Sequence, residues 1–423
     1  MAVRKRSNSV KQALDQLEPV QLPVADHHPA TGSRRSPSAP QPWVEPTGPL
    51  SWLVKPAQAA QVIAVVVAAW AALEHLTTSF SGARNPLTPL LFISYPLPHE
   101  ARDGPSQRYG KGPRDLAFLA FYIVVFSFLR QSITEFLIRP LARRLGLKTQ
   151  TKQARFMEQA YAFVYFSASG AFGLYVMSKQ PSWWYKTEHF WLEYPHWRMD
   201  GVLKSYYLLQ FSYWCQQMLV LLLRLEKPRS DFKELVIHHI VTLWLVGWSY
   251  MINLTMIGTA VFVSMDLPDI CLALSKCLNY LDLQHTSEVS FVFFLCVWHY
   301  MRHYLNLLIL SSVWNEYDLI PAPFRSWTSE PLGHKGWWLF YGFGTGSIPR
   351  WMKYQIFAPI LALQLVNTFW SYLIWRILFR MITGQKAQDV REEGEDEGEG
   401  EGEGEGEGEV DDHKKKKNNK KQQ

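Results

Sequence analysis

The sequence predicts an all-α, polytopic membrane protein with about eight transmembrane helices. Hydrophobic residues make up 48% of the 423-residue chain and charged residues only 19%, and the polar residues are concentrated at the two ends. The middle breaks into apolar runs of about twenty residues, the length of helix that crosses a bilayer. This pattern excludes an ordinary cytosolic enzyme, a secreted disulfide scaffold and a fibrous protein. We predict spans at about 57–76, 117–138, 157–177, 204–224, 234–251, 255–275, 288–311 and 353–378.

The chain is expected to divide into four regions. Residues 1–50 are rich in Pro, Ser and Gln and contain no apolar stretch, so we expect a disordered cytosolic segment without a cleavable signal peptide. Residues 51–114 contain the first span and a lumenal loop, and residues 115–380 contain the remaining spans. Residues 381–423 form a tail in which Glu and Gly alternate before a lysine-rich end, and such a composition stays solvated and disordered.

Lysine and arginine in the short loops predict the orientation, because cytosolic loops carry an excess of both. The loops at 139–156 and 225–233 are rich in these residues, so both are expected in the cytosol. An even number of spans then places both termini in the cytosol. The opposite loops, at 77–116, 178–203 and 312–352, are rich in Trp, Tyr, Pro and Gly and are expected at the lumenal interface.

The charge distribution indicates which partners the protein meets. The net charge of the whole chain is +6, but residues 391–423 carry −6, so the rest of the chain carries +12. A basic membrane protein is typical of one that faces anionic headgroups or substrates, and without zinc-finger spacing or a basic soluble helix we expect no nucleic-acid partner. Lys420 and Lys421, fourth and third from the end, have the form of an endoplasmic-reticulum retrieval signal. The alternative is a generic basic tail.

Polar residues inside predicted spans are the candidates for chemistry, because their burial in hydrocarbon is costly. His238 and His239 lie near the cytosolic start of the fifth span, and Asp266 and Asp269 share one face of the sixth. Antiparallel packing would bring the two groups together, and an imidazole beside a carboxylate suits proton transfer or nucleophilic attack. The alternatives are a His pair bonded to lipid headgroups and a structural ion pair between a carboxylate and an arginine. The two aspartates, with Pro268, also make this the least regular of the eight apolar runs.

The seventh span carries a third polar group, His299, Arg302 and His303. Arg302 is the natural counter-ion for either aspartate of the sixth span. The HxxxH spacing of the two histidines is able to bind metal, but the spans lack the further histidines of a di-iron centre and the glutamate of HExxH. We therefore expect no bound metal and no permanent cofactor. In the fourth span, Tyr213 and Gln216 would line a tunnel or hydrogen-bond between helices.

Residues 238–281 contain a long motif, HHIVTLWLVGWSYMINLTMIGTAVFVSMDLPDICLALSKCLNYL. This stretch resembles the signature of the ceramide synthases within the TLC-domain membrane family. Met265 stands where many animal members have a His, and WHYMRHYLN, at 298–306, also resembles the fungal branch. A weaker resemblance covers about 115–380. The residues that match the signature are His238, His239, Gly258, Asp266, Asp269, Lys276 and Tyr280.

The resemblance implies a TLC-type helical bundle that encloses a lipid tunnel, with the catalytic transmembrane domain at 115–380. It implies that a fatty acyl group passes from acyl-CoA to the amine of a sphingoid base, dihydrosphingosine or phytosphingosine, to give ceramide and CoA in the endoplasmic reticulum membrane. Fungal relatives also imply a small single-span accessory subunit, and a homodimer or hetero-oligomer. The alternatives are a non-catalytic TLC-type lipid-binding or transport protein and a metal-dependent lipid hydroxylase or desaturase.

Within this interpretation the catalytic residues would be His238, His239, Asp266 and Asp269. One histidine would act as general base on the amine or as a nucleophile that forms an acyl-imidazole, and we favour the nucleophile because a buried intermediate is shielded from water. Arg302 and His303 would fix a carboxylate or stabilise the developing oxyanion. The other residues expected to support the site or contact substrate are His299, Tyr213, Gln216 and Lys276.

Overall fold

The computed structural model describes residues 48–78, 84–100, 105–192, 194–223, 225, 232–325, 348 and 350–383. Residues 1–47 and 384–423, which are most of the ends predicted to be disordered at 1–50 and 381–423, lie outside these residues, as does the dilysine. Most of the predicted lumenal loop at 312–352 and of the basic loop at 225–233 also lies outside them.

Helices dominate the described part of the chain. They are α1 (Pro56–Leu76), α2 (Thr88–Leu91), α3 (Arg114–Ser132), α4 (Arg139–Arg144), α5 (Gln150–Ser178), α6 (Gly201–Leu222), α7 (Phe232–Met251), α8 (Thr255–Tyr280), α9 (Gln284–Trp298), α10 (Asn306–Asn315) and α11 (Met352–Ile382). One π-helical segment, Ile133–Ile138, joins α3 to α4, and a second, His299–Leu305, joins α9 to α10. Two short strands, β1 (Arg108–Tyr109) and β2 (Met199–Asp200), pair antiparallel.

The prediction of an all-α, polytopic membrane protein is confirmed. A helix covers each of the eight predicted spans. Among the described residues, five helical segments are long and apolar enough to cross a membrane by length and composition: Pro56–Leu76, Arg114–Arg144, Lys152–Ser178, Thr255–Tyr280 and Met352–Ile382. The other three predicted spans fall on α6, α7 and the α9–α10 pair. These helices carry the glutamines, histidines and arginine of the polar clusters, and such side chains lower the apolar character of a helix.

Helix α8 lies at the centre of the bundle, where it packs along α5 and α9 and also contacts α7. Its buried apolar side chains, such as Ile257 and Val263, join one core cluster with Met301 and Leu305 of the second π-helical segment. This central position gives α8 neighbours on several sides. Polar side chains on α8 therefore meet partners from different helices, as the site below shows.

Helices α6 and α8 approach each other closely at Gly258. A Cβ atom at this position would overlap the hydroxyl group of Tyr207 on α6. That hydroxyl forms a hydrogen bond with the hydroxyl of Ser249 on α7. Since no larger residue fits the gap, the glycine of the sequence motif serves the packing of three helices.

Two buried lysines fasten the segment that precedes α3. Lys204 on α6 lies 2.8 Å from the carboxylate of Asp115 and also donates to two loop carbonyls. Asp115 accepts a further hydrogen bond of 2.8 Å from the hydroxyl of Tyr250. Lys111 donates to the last carbonyls of α7, and burial lowers the pKa of this loop lysine to about 7. The segment is thereby tied to α3, α6 and α7.

Candidate active site

The two histidines of α7 are buried, and their surroundings differ. Their rings lie perpendicular to each other with centroids 5.7 Å apart. Nδ1 of His239 lies 2.9 Å from the Leu235 carbonyl, and because a carbonyl only accepts, this nitrogen carries the proton. His238 instead lines a large cavity, and its Nδ1 is buried without a hydrogen-bond partner. Successive side chains on a helix point about 100° apart, which explains why only one of the pair reaches the cavity.

Two tryptophans enclose the His pair. The ring of Trp214, on α6, meets both imidazoles edge-on, with centroid distances of 6.0 Å to His238 and 5.7 Å to His239. From α11, the ring of Trp370 lies 5.1 Å from that of His238. The indole nitrogens of both tryptophans are buried, and neither has a hydrogen-bond partner in the part of the chain that the structure describes. The histidines therefore sit in an aromatic, water-poor enclosure.

The cavity, counted together with the open space at its mouth, has a volume of about 760 Å³. Its wall runs along α7 from His238 to Ser249, 11 positions apart, which corresponds to about 16 Å of helix. Aliphatic and aromatic side chains from α6, α7, α8 and α11 form most of the wall. Its few polar side chains include His238 and the paired Asp269 and Arg302. This combination suits a long apolar chain that has a reactive polar group at one end.

Asp269, on α8, forms an ion pair with Arg302 of the second π-helical segment. The distance between its Oδ1 and Nη2 of Arg302 is 2.6 Å, and the arginine side chain is 4% exposed. The same nitrogen donates to the carbonyl of Met265 at 3.0 Å, and the guanidinium lies 4.4 Å from the ring centroid of Trp298. Of the two aspartates, Asp269 is thus the partner of the arginine, and the structural ion pair considered above is present.

Asp266 lies in a separate polar network on the α5–α6 side of α8. The residue is completely buried. Its Oδ2 accepts hydrogen bonds from Ser169, at 2.6 Å, and from Gln210, at 2.9 Å. Gln210 also bonds to the hydroxyl groups of Tyr165 and Tyr206. The two carboxylates were predicted to share one face of α8, but they bond to different residues. The reason is that several helices pack around that part of α8, and each aspartate meets a different one.

His238 and Asp269 both contribute to the wall of the cavity. Within the described residues, no hydrogen bond joins either imidazole to either aspartate. Asp269 is held by Arg302, and Asp266 by Ser169 and Gln210.

His299 and His303 form a hydrogen-bonded chain with α11. Gln364 donates to Nδ1 of His303 at 2.7 Å, and Nε2 of His303 lies 3.1 Å from the Ser371 hydroxyl. The same hydroxyl lies 3.3 Å from Nε2 of His299, which also accepts from Trp375 at 3.0 Å. The pair thus connects helices. Over the described ranges, no group of three or more His, Cys, Asp or Glu side chains is placed to hold a metal ion.

The remaining predicted residues lie away from the described wall of the cavity. Tyr213 stacks on Tyr165 with a centroid distance of 3.4 Å. Gln216 is completely buried and accepts a hydrogen bond of 3.0 Å from Gln217. Lys276 is half-buried on α8, about two helical turns beyond Asp269. These three side chains support the bundle around the site.

Sequence reasoning missed the two tryptophans and the partners of Asp266. An aromatic residue inside an apolar run carries no signal, since most such residues simply pack in the core or face lipid. Trp214 follows Tyr213, which the sequence did single out, but the two rings point to different neighbours. Ser169 and Gln210 are small or neutral polar residues, and only the three-dimensional contacts reveal that both bond to one carboxylate.

Comparison with known proteins places the chain in a family. The family model described as TLC domain matches residues 155–376. The chain is 44% identical over 307 residues to sphingosine N-acyltransferase lac1 of Schizosaccharomyces pombe, a match that covers 72% of this chain and 74% of that protein. It is 40% identical over 314 residues to ceramide synthase LAG1 of Saccharomyces cerevisiae, with 74% and 70% covered.

A further relative is the sphingosine N-acyltransferase-like protein FUM17 of Gibberella moniliformis, 39% identical over 293 residues, with 68% of this chain and 71% of that protein covered. The family match includes the His pair, both aspartates and Arg302. The resemblance drawn from the motif at 238–281 is confirmed. The chain therefore belongs to the TLC-domain membrane family and, within it, to the fungal ceramide synthases.

Proposed function

We propose that this protein is a ceramide synthase, which transfers a fatty acyl group from acyl-CoA to the amine of a sphingoid base and releases CoA. The observation that carries the proposal is the placement of His238 on the wall of a long, largely apolar cavity. The names of the relatives, sphingosine N-acyltransferase and ceramide synthase, support the same reaction. The cavity suits the acyl chain, and the thioester would lie beside the imidazole.

His238 is the reacting residue in this proposal. Its imidazole nitrogen attacks the thioester carbonyl carbon, a C–N bond forms, the C–S bond breaks, and CoA thiolate takes the proton that the acylated imidazole loses. The amine of the sphingoid base then attacks the acyl-imidazole, the amide forms, and an amine proton returns to the histidine. In the alternative, His238 accepts a proton from the amine while the amine attacks the thioester directly.

The other polar residues position this histidine. His239 anchors the first turns of α7 through the Leu235 carbonyl, and Asp269 with Arg302 fixes the neighbouring wall of the cavity. Asp266 holds α5 and α6 against α8. Substitution of any of these residues would slow the reaction by displacing His238. Substitution of His238 would remove the group that reacts.

The wider assignments follow from the same proposal. The substrates are fatty acyl-CoA and dihydrosphingosine or phytosphingosine, and no permanently bound cofactor takes part. We place the protein in the endoplasmic reticulum membrane with both termini in the cytosol, where Lys420 and Lys421 would act as a retrieval signal. A small single-span accessory subunit and a homodimeric or hetero-oligomeric state complete the proposal.

The test uses purified protein, a sphingoid base and a panel of acyl-CoAs. Ceramide is measured for the wild type and for His238→Ala, His239→Ala and Asp266→Asn, with His285→Ala, an exposed histidine at the start of α9, as the matched control. Intact mass is recorded after acyl-CoA is added without the base. We expect ceramide from the wild type and the control, and an acyl adduct that is lost in His238→Ala.

Two other outcomes decide between the alternatives. Ceramide without any adduct, even under rapid quenching, would favour the general-base mechanism. If the wild type forms no ceramide, either alone or after co-expression with a single-span partner, the proposed acyltransferase activity is contradicted. That result would favour a non-catalytic lipid-binding protein. Bound lipid in the purified protein would then be identified by mass spectrometry.

A further inference from the structure

The wall beside His238 contains a hydrogen-bond donor without an acceptor. Trp214 is 8% exposed, lines the cavity, and places its ring edge-on to both imidazoles. Among the described residues, its indole nitrogen is buried and has no hydrogen-bond partner. A buried donor without a partner is costly, and such groups in a native protein call for an explanation. A tryptophan N–H only donates, so the missing partner is an acceptor.

We propose that the indole N–H of Trp214 is an oxyanion donor for the acyl transfer. This inference rests on the proposed ceramide synthase function. When His238 attacks the thioester carbon, a C–N bond forms and the carbonyl π electrons move to oxygen, which becomes an oxyanion. The Trp214 N–H donates to this oxygen, and the oxyanion then collapses and expels CoA thiolate. The tryptophan neither gains nor loses a proton.

The donors that the sequence suggested for this role are engaged, apart from Nε of Arg302, which is buried and has no partner among the described residues. One amino group of Arg302 bonds to Asp269 and to the Met265 carbonyl, and the other lies 3.4 Å from Oδ1 of Asn367. Both ring nitrogens of His303 are bonded to α11. Redirecting either side chain would break existing hydrogen bonds. The Trp214 N–H would donate to the oxyanion without breaking an existing hydrogen bond. This is the arrangement expected of a preorganised donor.

Trp370 provides a matched comparison. Its indole nitrogen is also buried without a partner, and its ring lies even closer to His238, at 5.1 Å. The side chain is, however, not part of the described cavity wall. A substrate held in the cavity would contact the side chain of Trp214 and not that of Trp370. Substitution of the two tryptophans therefore separates a role in catalysis from a role in packing around the histidine.

The test compares Trp214→Phe with Trp370→Phe in the full-length protein. For Trp214→Phe we expect kcat for ceramide formation to fall about 10²-fold, the loss seen when one oxyanion donor is removed, with KM for acyl-CoA changed less than twofold. Trp370→Phe should keep kcat within about threefold of the wild type, because the N–H that it loses does not contact substrate. Replacement of the Trp214 indole by benzothiophene, which keeps the bicyclic shape and lacks the N–H, should reproduce the loss even if Trp214→Phe folds poorly.

Binding of two CoA analogues that are not turned over gives a readout that a packing role would not change. The carbonyl carbon of a trifluoromethyl ketone analogue accepts the His238 nitrogen reversibly, which leaves a tetrahedral oxyanion, whereas a thioether analogue has no carbonyl oxygen. Loss of the Trp214 N–H should weaken only the ketone analogue, by a factor similar to the loss in kcat. Equal weakening of both analogues, or kcat within threefold of the wild type, would overturn the inference. A wild type that forms no ceramide would instead contradict the proposed function, so the two failures are distinguishable.

Discussion

The ion pair between Asp269 and Arg302 should be strongly coupled, and a double-mutant cycle measures that coupling. The two side chains approach to 2.6 Å, with the arginine 4% and the aspartate 20% exposed. Removal of one partner of a buried pair leaves an uncompensated charge and costs about 3–5 kcal/mol. Since the aspartate keeps some exposure, we expect the lower end of this range, about 3 kcal/mol, for Asp269→Asn.

Arg302→Gln should cost more than Asp269→Asn. The arginine also donates to the Met265 carbonyl and lies over the ring of Trp298 at 4.4 Å, and both contacts are lost with it. In the double variant no charge remains unpaired, and the new amide groups are able to hydrogen-bond. The double variant should therefore cost about 2 kcal/mol less than the sum of the two single variants, within the range found for residues in direct contact.

The assay is the free energy of unfolding in mixed detergent micelles, with helix content followed by circular dichroism. Arg376→Gln, at an exposed position on α11, is the matched control and should change the free energy by less than about 0.5 kcal/mol. If the effects of Asp269→Asn and Arg302→Gln simply add, the two side chains do not form the pair described here. An additive result would thus refute the assignment of Arg302 to Asp269.

Three further outcomes are expected. Gly258→Ala should lower stability by about 1–3 kcal/mol, measured as a lower thermal midpoint, because its methyl group would overlap the Tyr207 hydroxyl. Lys111 has a pKa of about 7 in the folded protein and about 10.4 in the unfolded chain. Between these two pH values the unfolded chain binds more protons than the folded protein, so the free energy of unfolding should rise with pH from about 7 to about 10.4. Ile257→Trp, which places a larger side chain at the far end of the cavity, should shift the preferred acyl-CoA to one about four carbons shorter, the length that corresponds to one helical turn.

Each of these three has its own check. Gly170→Ala is the control for Gly258→Ala, since the nearest atom to its added methyl group would lie at an ordinary 3.4 Å, and equal losses would contradict the clash. Lys111→Met should flatten the rise in stability, so an unchanged difference between pH 7 and pH 10 would contradict the lysine as its source. Ile257→Val should not shorten the preferred chain, and a shift in the same direction as Ile257→Trp would argue against the cavity as the acyl site.

The order of the helices was predictable because it depends on local properties of the chain. Hydropathy over about twenty residues marks a membrane-length helix wherever that helix packs. The same reasoning found α8 in spite of Asp266, Pro268 and Asp269, and the helix runs unbroken through all three. The motif of histidine pair, glycine and aspartates was likewise readable as a pattern along one continuous stretch.

The partners of the site residues were not predictable in this way. Periodicity places Asp266 and Asp269 on one face of α8, yet it does not determine which neighbouring helix meets each of them. That choice depends on how α5, α6 and the second π-helical segment are rotated against α8, and those segments contribute Ser169, Gln210 and Arg302 from up to about 100 positions away.

The sequence by itself thus determined the class of protein, the succession of helices and the identity of the polar residues inside them, because each of these is a property of neighbouring residues in the chain. Only the tertiary structure decided that His238 and not His239 lines the cavity, that Arg302 pairs with Asp269, and that the Trp214 N–H is left without a partner. These outcomes depend on the rotation and close approach of helices, which side-chain packing throughout the bundle sets together.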